Sequence, residues 1–309
     1  MNIEPETRNG YFISTTQKMM WSVQMNLLSK LLEVCEIYNL KIWAEGGTLL
    51  GAVREKGFIP WDDDIDMAML RDDYNKLLEI APDVFKSPYF FQCGYTEDKY
   101  PRGHAQLRMD HTTAIGKDDV MHDTHLGIFI DIFVYDELPD NPIERVKFLS
   151  QIGYLRDKLF QICYGRYPYM HPMKWMKLLW YRIETHIKGY RNVFKEFDQQ
   201  LQKHKGSYVA LICFTSNIER FLRAKTLYDK TLYVPFEDIT IPIPYGYDTI
   251  LKTQYGEYMK PVQAPTFHGG FLVVDDQKDF KEYLPTLRKA AKREVRRYRF
   301  NQLKKFLLK

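Results

Sequence analysis

The sequence predicts a mixed α/β (α+β) protein: a mixed-sheet core with an added helical region behind it. Three observations carry that expectation. Runs alternating apolar and polar residues interleave with helical periods as far as residue 140. Leu138-Pro139-Asp140-Asn141-Pro142 is the strongest breaker in the chain. Beyond it, from Ile143 to about Leu201, the pattern turns helical and strongly aromatic. The chain therefore divides into 1–140, 141–287 and a basic tail, 288–309.

Met20, Val23, Leu27, Leu31, Val34 and Tyr38 recur at helical spacing after the cap-like run Ser14-Thr15-Thr16, with Asn39 as a stop. Lys41 to Ala44 reads as a short strand, Glu45-Gly46-Gly47-Thr48 as a turn, and Leu49 to Arg54 as a short helix. In Asp62 to Leu70, Ile65, Met67 and Met69 alternate with Asp64, Asp66 and Ala68, which predicts a strand. A helix over Tyr74 to Val84 follows, then strands over Tyr89 to Tyr95, His104 to Ile115 and Gly127 to Tyr135. The aromatic residues from Tyr164 to Tyr190, at helical spacing, are expected to be core, with sugar stacking or contact with a membrane interface as the alternatives. Val209 to Pro244 mixes strand-like runs with turns, and Leu251 to Met259 predicts a short helix ended by Pro261.

With 309 residues, 45% hydrophobic and 27% charged, the chain is long enough to bury a core and is not disordered. Its longest apolar run, Leu126 to Tyr135, contains Asp131, so no membrane span is expected. Met1 to Glu6 lacks the basic and apolar regions of a signal peptide. Cys35, Cys93, Cys163 and Cys213 lie far apart and read as reduced, buried thiols of a cytoplasmic protein. The net charge of +4 hides an asymmetry: Arg288 to Lys309 holds ten Lys or Arg and one acid, Glu294. That tail is +9 and the first 287 residues are −5, so no nucleic-acid-binding face is expected on the globular part.

Trp61-Asp62-Asp63-Asp64-Ile65-Asp66 puts four carboxylates in five residues. On a strand, Asp64 and Asp66 would share a face at roughly 6–7 Å, a spacing that grips a divalent cation and leaves positions open for phosphate oxygens. All-oxygen ligands favour Mg²⁺ or Mn²⁺ over zinc. A solvated acidic turn explains the alternation with Ile65 and Met67 less well. Asp131 interrupts Gly127-Ile128-Phe129-Ile130-Asp131-Ile132-Phe133, a run that reads as buried, where a lone carboxylate costs several kcal/mol unless paired or bound to metal. Metal ligation or base catalysis is expected of Asp131, with an ion pair to Arg54 or Arg108 as the alternative. Gly46, Gly47 and Thr48, between strand and helix, suit close approach of backbone N–H groups to a phosphate. His122-x-x-His125 has zinc-like spacing, but no third strong ligand is evident in the sequence nearby.

Strand, Gly-Gly turn, helix, D-x-D strand and a later acidic strand is the order of the nucleotidyltransferase superfamily, so the expected core is nucleotidyltransferase-type. The resemblance extends further. Gly47 to Arg54 together with Gly57 to Asp66 resembles the first motif of the LicD family, the bacterial phosphocholine transferases related to fukutin and fukutin-related protein. Gly127 to Phe133 resembles the second motif. Tyr255-Gly256-Glu257-Tyr258-Met259 with Pro261 resembles the C-terminal segment, which His268 commonly follows. The resemblance implies a phosphotransferase that moves a phospho-alcohol from a CDP-linked donor such as CDP-choline to a hydroxyl of a surface glycan or its lipid-linked precursor. It implies two cations on Asp64, Asp66 and Asp131, with Asp131 also accepting the proton of the attacking hydroxyl. Gly46, Gly47, Thr48, Arg54, Lys56, Arg108 and His268 are the expected substrate contacts, and 141–287 would complete the substrate site. The rival readings are a D-x-D glycosyltransferase using a nucleotide sugar and a non-catalytic nucleotide-binding protein. In the tail, Ala291, Val295, Tyr298, Leu303, Phe306 and Leu307 recur among the cations, which predicts a basic amphipathic helix drawn to anionic lipid on the inner face of the membrane.

Overall fold

The structure, a computed structural model, describes residues 1–164, 172–215, 218, 220–263 and 270–307. It opens with a hairpin, β1 (Glu6–Arg8) and β2 (Tyr11–Ile13), and the long helix α1 (Thr15–Ile37). Ser14 caps α1 by accepting from the Gln17 amide at 3.2 Å, and Asn39, at φ +52°, turns the chain out of it. β3 (Trp43–Ala44), α2 (Gly46–Arg54), β4 (Asp66–Leu70) and α3 (Arg71–Val84) follow. Next come β5 (Tyr89–Gln92), β6 (Ala105–Met109), β7 (Thr113–Gly116) and β8 (Phe129–Leu138). Three helices, α4 (Pro142–Tyr164), α5 (Pro172–Lys188) and α6 (Tyr190–Leu201), form the helical region. The chain then runs through β9 (Tyr208–Ala210), β10 (Arg223–Ala224), β11 (Thr231–Phe236), β12 (Ile239–Pro244), α7 (Tyr247–Tyr255), β13 (Phe271–Asp275) and α8 (Phe280–Leu307).

The mixed α+β architecture is the one the sequence predicts, and β8 is its spine. Five of its ten residues, Asp131 to Tyr135, pair parallel with β4 along one edge. Along the other edge its first half pairs antiparallel with β6 and its last three residues with β9. β3 and β10 close the main sheet, with β5 added outside β6. Met67, Ala68 and Met69 of β4 are all buried, because α1, α2 and α3 cover the sheet and leave no solvated face.

Several elements differ from expectation for identifiable reasons. The stretch His104 to Ile115 is two strands, broken at His111, whose φ is +60°; β7 leaves the main sheet to pair with β13. The helix over α7 ends at Gly256, φ +66°, six residues after Ile250 and well before Pro261. The aromatics of the helical region are split: Tyr181 and Tyr190 are core, whereas Trp175 and Trp180 are exposed. Helical spacing alone does not say which of two faces is covered.

The helical region is tied to the sheet by one buried charge. Arg71, at the start of α3, donates to both oxygens of Asp136 on β8 (2.6 and 2.9 Å) and to Asp198 on α6 (2.9 Å). At the other end of β8, His125 stacks on Phe90 and meets the tilted ring of Phe280. Its Nε2–H lies 3.0 Å from Asp110 Oδ1, and its Nδ1 accepts from the Gly127 amide. Burial and the nearby Arg108 lower its pKa from 6.5 to about 4, and protonation would also cost it the Gly127 bond. The unfolded chain takes up this proton first as pH falls, so the stability contributed by neutral His125 is complete above pH 6.5 and lost toward pH 4. The expected loss is about 3 kcal/mol. Urea titrations at pH 7 and 4.5 should show it in the wild type and a clearly smaller one in His125→Gln.

Candidate active site

Asp66 and Asp131 are register partners on β4 and β8. In a parallel pair, partners project from the same face of strands about 4.8 Å apart. The convergence of the two acidic strands, an expectation from sequence, is therefore a feature of the sheet. Asp64 arrives differently. Asp62, Asp63 and Asp64 precede β4 in a turn, and an oxygen from each lies within 4.8 Å of the others. Among the described residues this is the one group of three or more acids, histidines or cysteines gathered so closely.

The turn is not a strand because helix α1 takes its carbonyls. Gln17 Nε2 donates to the carbonyls of Pro60 (2.9 Å) and Asp62 (3.2 Å), Trp21 Nε1 to Asp62 (3.1 Å), and Gln24 Nε2 to Asp63 (2.9 Å). Positions 17, 21 and 24 share one helix face. Phe58 stacks on the Trp21 ring at 4.4 Å and 3°, and its amide donates to Glu237 Oε1 at 3.0 Å. A Cβ on Gly51 would strike the Gly57 carbonyl, so that motif glycine lets α2 lie against this loop.

Two of the acids, Asp62 and Asp66, have raised pKa values. Asp66 is pushed well above the carboxylate range by burial first, then by Asp64, Asp131, Asp62 and Glu45. Asp62 is pushed up by burial and by Asp64. Carboxylates forced together with their charge opposed, and offering only oxygen donors, are what a hard divalent cation relieves. The residues present fit Mg²⁺ or Mn²⁺ on that ground.

Gly46, Gly47 and Thr48 are not a loop but the first turn of α2. Their amides belong to the helix start, which has no intrahelical partners for them. A Cβ on Gly46, whose φ is +53°, would sit 3.1 Å from Asp66 Oδ2, and one on Gly47 would collide with Asp62 Oδ2. Bare backbone thus abuts the carboxylates. Thr48 Oγ1 accepts from the Asp66 amide at 2.8 Å, fixing the first residue of β4 against the helix. Gly47→Ala should leave the fold intact, since only the end of the Asp62 side chain must move, yet impair any reaction that uses Asp62 by on the order of tenfold or more; circular dichroism and initial rates would separate the two.

Glu45, just before this helix, is buried and held by both guanidinium nitrogens of Arg223 (2.7 and 2.6 Å), with Gln254 Nε2 at 3.2 Å. The adjacent Tyr255 hydroxyl faces Gly46, and its pKa is raised by burial, Glu45, Asp66 and Asp62. The Tyr255 to Met259 segment therefore meets the site through its first residue.

Asp131 is buried and pairs with neither arginine considered for it. Its Oδ1 lies 3.0 Å from His104 Nε2 and 2.8 Å from Gln106 Nε2, both on or beside β6. Arg108 stands behind them: Nη2 donates to Gln106 Oε1 at 2.7 Å, which turns the Gln106 NH₂ toward Asp131. The guanidinium also bonds Gln92 and the Gly127 carbonyl and lies 4.5 Å from the Phe129 ring. Arg54 and Lys56 sit at the far end of α2, about 12 Å along the helix from Gly46. Arg54 there bonds Glu55 and the Tyr258 carbonyl, and Lys56 is exposed. His268 lies outside the described residues. A cavity of about 550 Å³ opens at the opposite end of β4, beside Leu70 and Arg71, away from the acids.

Sequence reading missed Asp62, Gln17, Gln24, His104, Gln106, Glu45 and Arg223 as parts of the site. Some signals were present. Gln24 falls on the apolar stripe of α1 and is buried there, and His104, Gln106 and Arg108 form a polar face within an expected strand. Nothing in the sequence links Glu45 to Arg223.

The site thus sets a glycine-led helix start against register-matched aspartates on two parallel strands. Residues 39–179 match the family described as LicD/FKTN/FKRP, nucleotidyltransferase domain. The chain is 28% identical over 248 residues to the lipopolysaccharide cholinephosphotransferase LicD of Haemophilus influenzae, covering 77% of this chain and 89% of that protein. An uncharacterized protein of Rickettsia prowazekii is 33% identical over 120 residues, 36% of this chain and 41% of that one.

Proposed function

We propose that this protein transfers a phospho-alcohol group, phosphocholine or a close analogue, from a CDP-linked donor to a hydroxyl of a cell-surface glycan or its lipid-linked precursor. The observation that carries the reading is the pairing of Asp66 with Asp131 against the bare amides of α2. The similarity to a lipopolysaccharide cholinephosphotransferase supports phosphocholine as the group and a surface glycan as the acceptor.

Asp64, Asp66 and Asp131, with Asp62 beside them, would hold Mg²⁺ or Mn²⁺, which when bound supplies charge neutralisation for a diphosphate and for departing CMP. The Gly46 and Gly47 amides would receive donor phosphate oxygens at the positive end of the helix. Asp131 would take the proton of the attacking hydroxyl, held in place through Oδ1 by the His104 and Gln106 side chains. Arg54, Lys56 and Arg108 would then shape the site from a distance. No described helix is long and apolar enough to cross a membrane; α8, with its run of cations, would hold the enzyme at the inner face of the membrane, where a lipid-linked acceptor is met.

The test is CMP release from CDP-choline, CDP-ethanolamine, CDP-glycerol and CDP-ribitol, run beside a panel of nucleotide sugars. Turnover of one CDP-alcohol, abolished by chelator and restored by Mg²⁺ or Mn²⁺, is expected. Consumption of a nucleotide sugar instead would favour the glycosyltransferase reading, and no turnover of any donor the non-catalytic one.

A further inference from the structure

The segment from Tyr255 to Met259 holds two tyrosines whose hydroxyls are in opposite situations. Tyr258 is buried and donates to Asp248 Oδ1 at 2.8 Å. Tyr255 is 40% exposed, and among the described residues its hydroxyl has no hydrogen-bond partner. The backbone that carries Tyr255 is nevertheless fixed. Helix α7 is seated by Ile250 and Leu251, both buried, and packs on α2. Gln254, the residue before, is buried as well. Its Nε2 donates to Glu45 Oε1 at 3.2 Å, and its carbonyl accepts from Arg220 Nη2 at 2.8 Å. Gly256, at φ +66°, turns the chain away immediately after. The protein thus holds a phenol in place and leaves its polar end open.

That end faces the start of α2. A Cβ on Gly46 would lie 3.1 Å from Asp66 Oδ2 and 3.9 Å from the Tyr255 hydroxyl, so acid and phenol border one opening and stand at most about 7 Å apart. Other side-chain donors of the site are engaged: Gln106 Nε2 with Asp131, Arg108 with Gln106 and Gln92, and Arg223 with Glu45. A phenol suits a setting crowded with acids, because it keeps its proton at neutral pH and donates a short hydrogen bond without adding charge. We propose that the Tyr255 hydroxyl donates to a non-bridging oxygen of the donor's diphosphate, on the phosphate that the Gly46 and Gly47 amides receive. The inference rests on the phosphotransferase reading of the site and adds to it a substrate contact from the far end of the chain. Anionic oxygens are the ligand this opening favours, since the helix start offers its positive end there.

Binding of CDP, UDP and inorganic pyrophosphate, each with Mg²⁺, would be measured by titration calorimetry on the full chain, in the wild type, Tyr255→Phe and Tyr258→Phe. Tyr255→Phe should weaken binding of whichever diphosphate the wild type takes by on the order of tenfold or more. Its circular dichroism and thermal midpoint should be unchanged, because the lost hydroxyl holds no described protein group. Tyr258→Phe, whose hydroxyl is engaged with Asp248, should bind as the wild type does. A preference for UDP with the same loss in Tyr255→Phe would sink the CDP-donor reading and leave the Tyr255 contact standing. Three results would overturn the proposal: no diphosphate bound by the wild type, full affinity in Tyr255→Phe, or a loss in that variant matched by a fallen thermal midpoint or by an equal loss in Tyr258→Phe.

Discussion

Asp131→Asn is expected to lower turnover on the order of 10³-fold or more while leaving the protein folded. The substitution keeps the shape of the side chain and an oxygen that can still accept from His104 or Gln106. It removes the negative charge that Asp66 faces across the β4–β8 pair. The thermal midpoint without metal should therefore stay the same or rise, because a buried like-charge contact has been relieved. Asp66→Asn should behave likewise. A variant that lost activity and several degrees of midpoint together would point to a structural role, and an Asp131→Asn enzyme turning over at the wild-type rate would end the three-carboxylate reading.

The largest loss of stability should come from Arg223→Ala. The guanidinium is buried, meets both oxygens of Glu45 and lies over the Tyr135 ring at 4.9 Å. Removing it strands a carboxylate with no counter-charge, a change that costs about 3–5 kcal/mol. Because Glu45 directly precedes Gly46, activity should fall as well, even though Arg223 does not touch the carboxylate cluster. The double variant Glu45→Gln with Arg223→Met leaves no stranded charge and should recover much of the stability, as urea unfolding of the single and double variants would show. Additive losses would mean the pair is not the source.

The site was legible in the sequence wherever chemistry is written locally. A carboxylate inside an apolar strand, or four in five residues, violates burial rules strongly enough to be noticed, and Asp66 and Asp131 were found that way. What stayed hidden depends on who sits opposite whom. The Asp62 to Asp64 turn looked like a strand because its alternation was right, and the three donors that pull it away belong to a helix some forty positions earlier. Gly46 to Thr48 looked like a loop because Gly disfavours helix interiors, yet at a helix start the missing side chains make room for Asp62 and Asp66. Arg54, Arg108 and Lys56 carry the same charge in the sequence, and only the fold assigns them different neighbours. The fold was read best where a strand or helix has one covered face and worst in α5, whose two apolar faces look alike until one of them is packed.

The Glu45–Arg223 contact spans 178 positions, and that span fixes a timetable. At 5–20 residues per second, roughly 9 to 36 s separate the synthesis of its two ends. Throughout that interval Glu45 is without its counter-charge, and within it, from the synthesis of Leu138 to that of Tyr208, the last residues of β8 are without β9, leaving an open strand edge. The nascent chain cannot complete the Glu45 anchor at the start of α2 early. A ribosome product stopped at residue 179, where the family match ends, would be a substrate for chaperones and proteases rather than a small working enzyme.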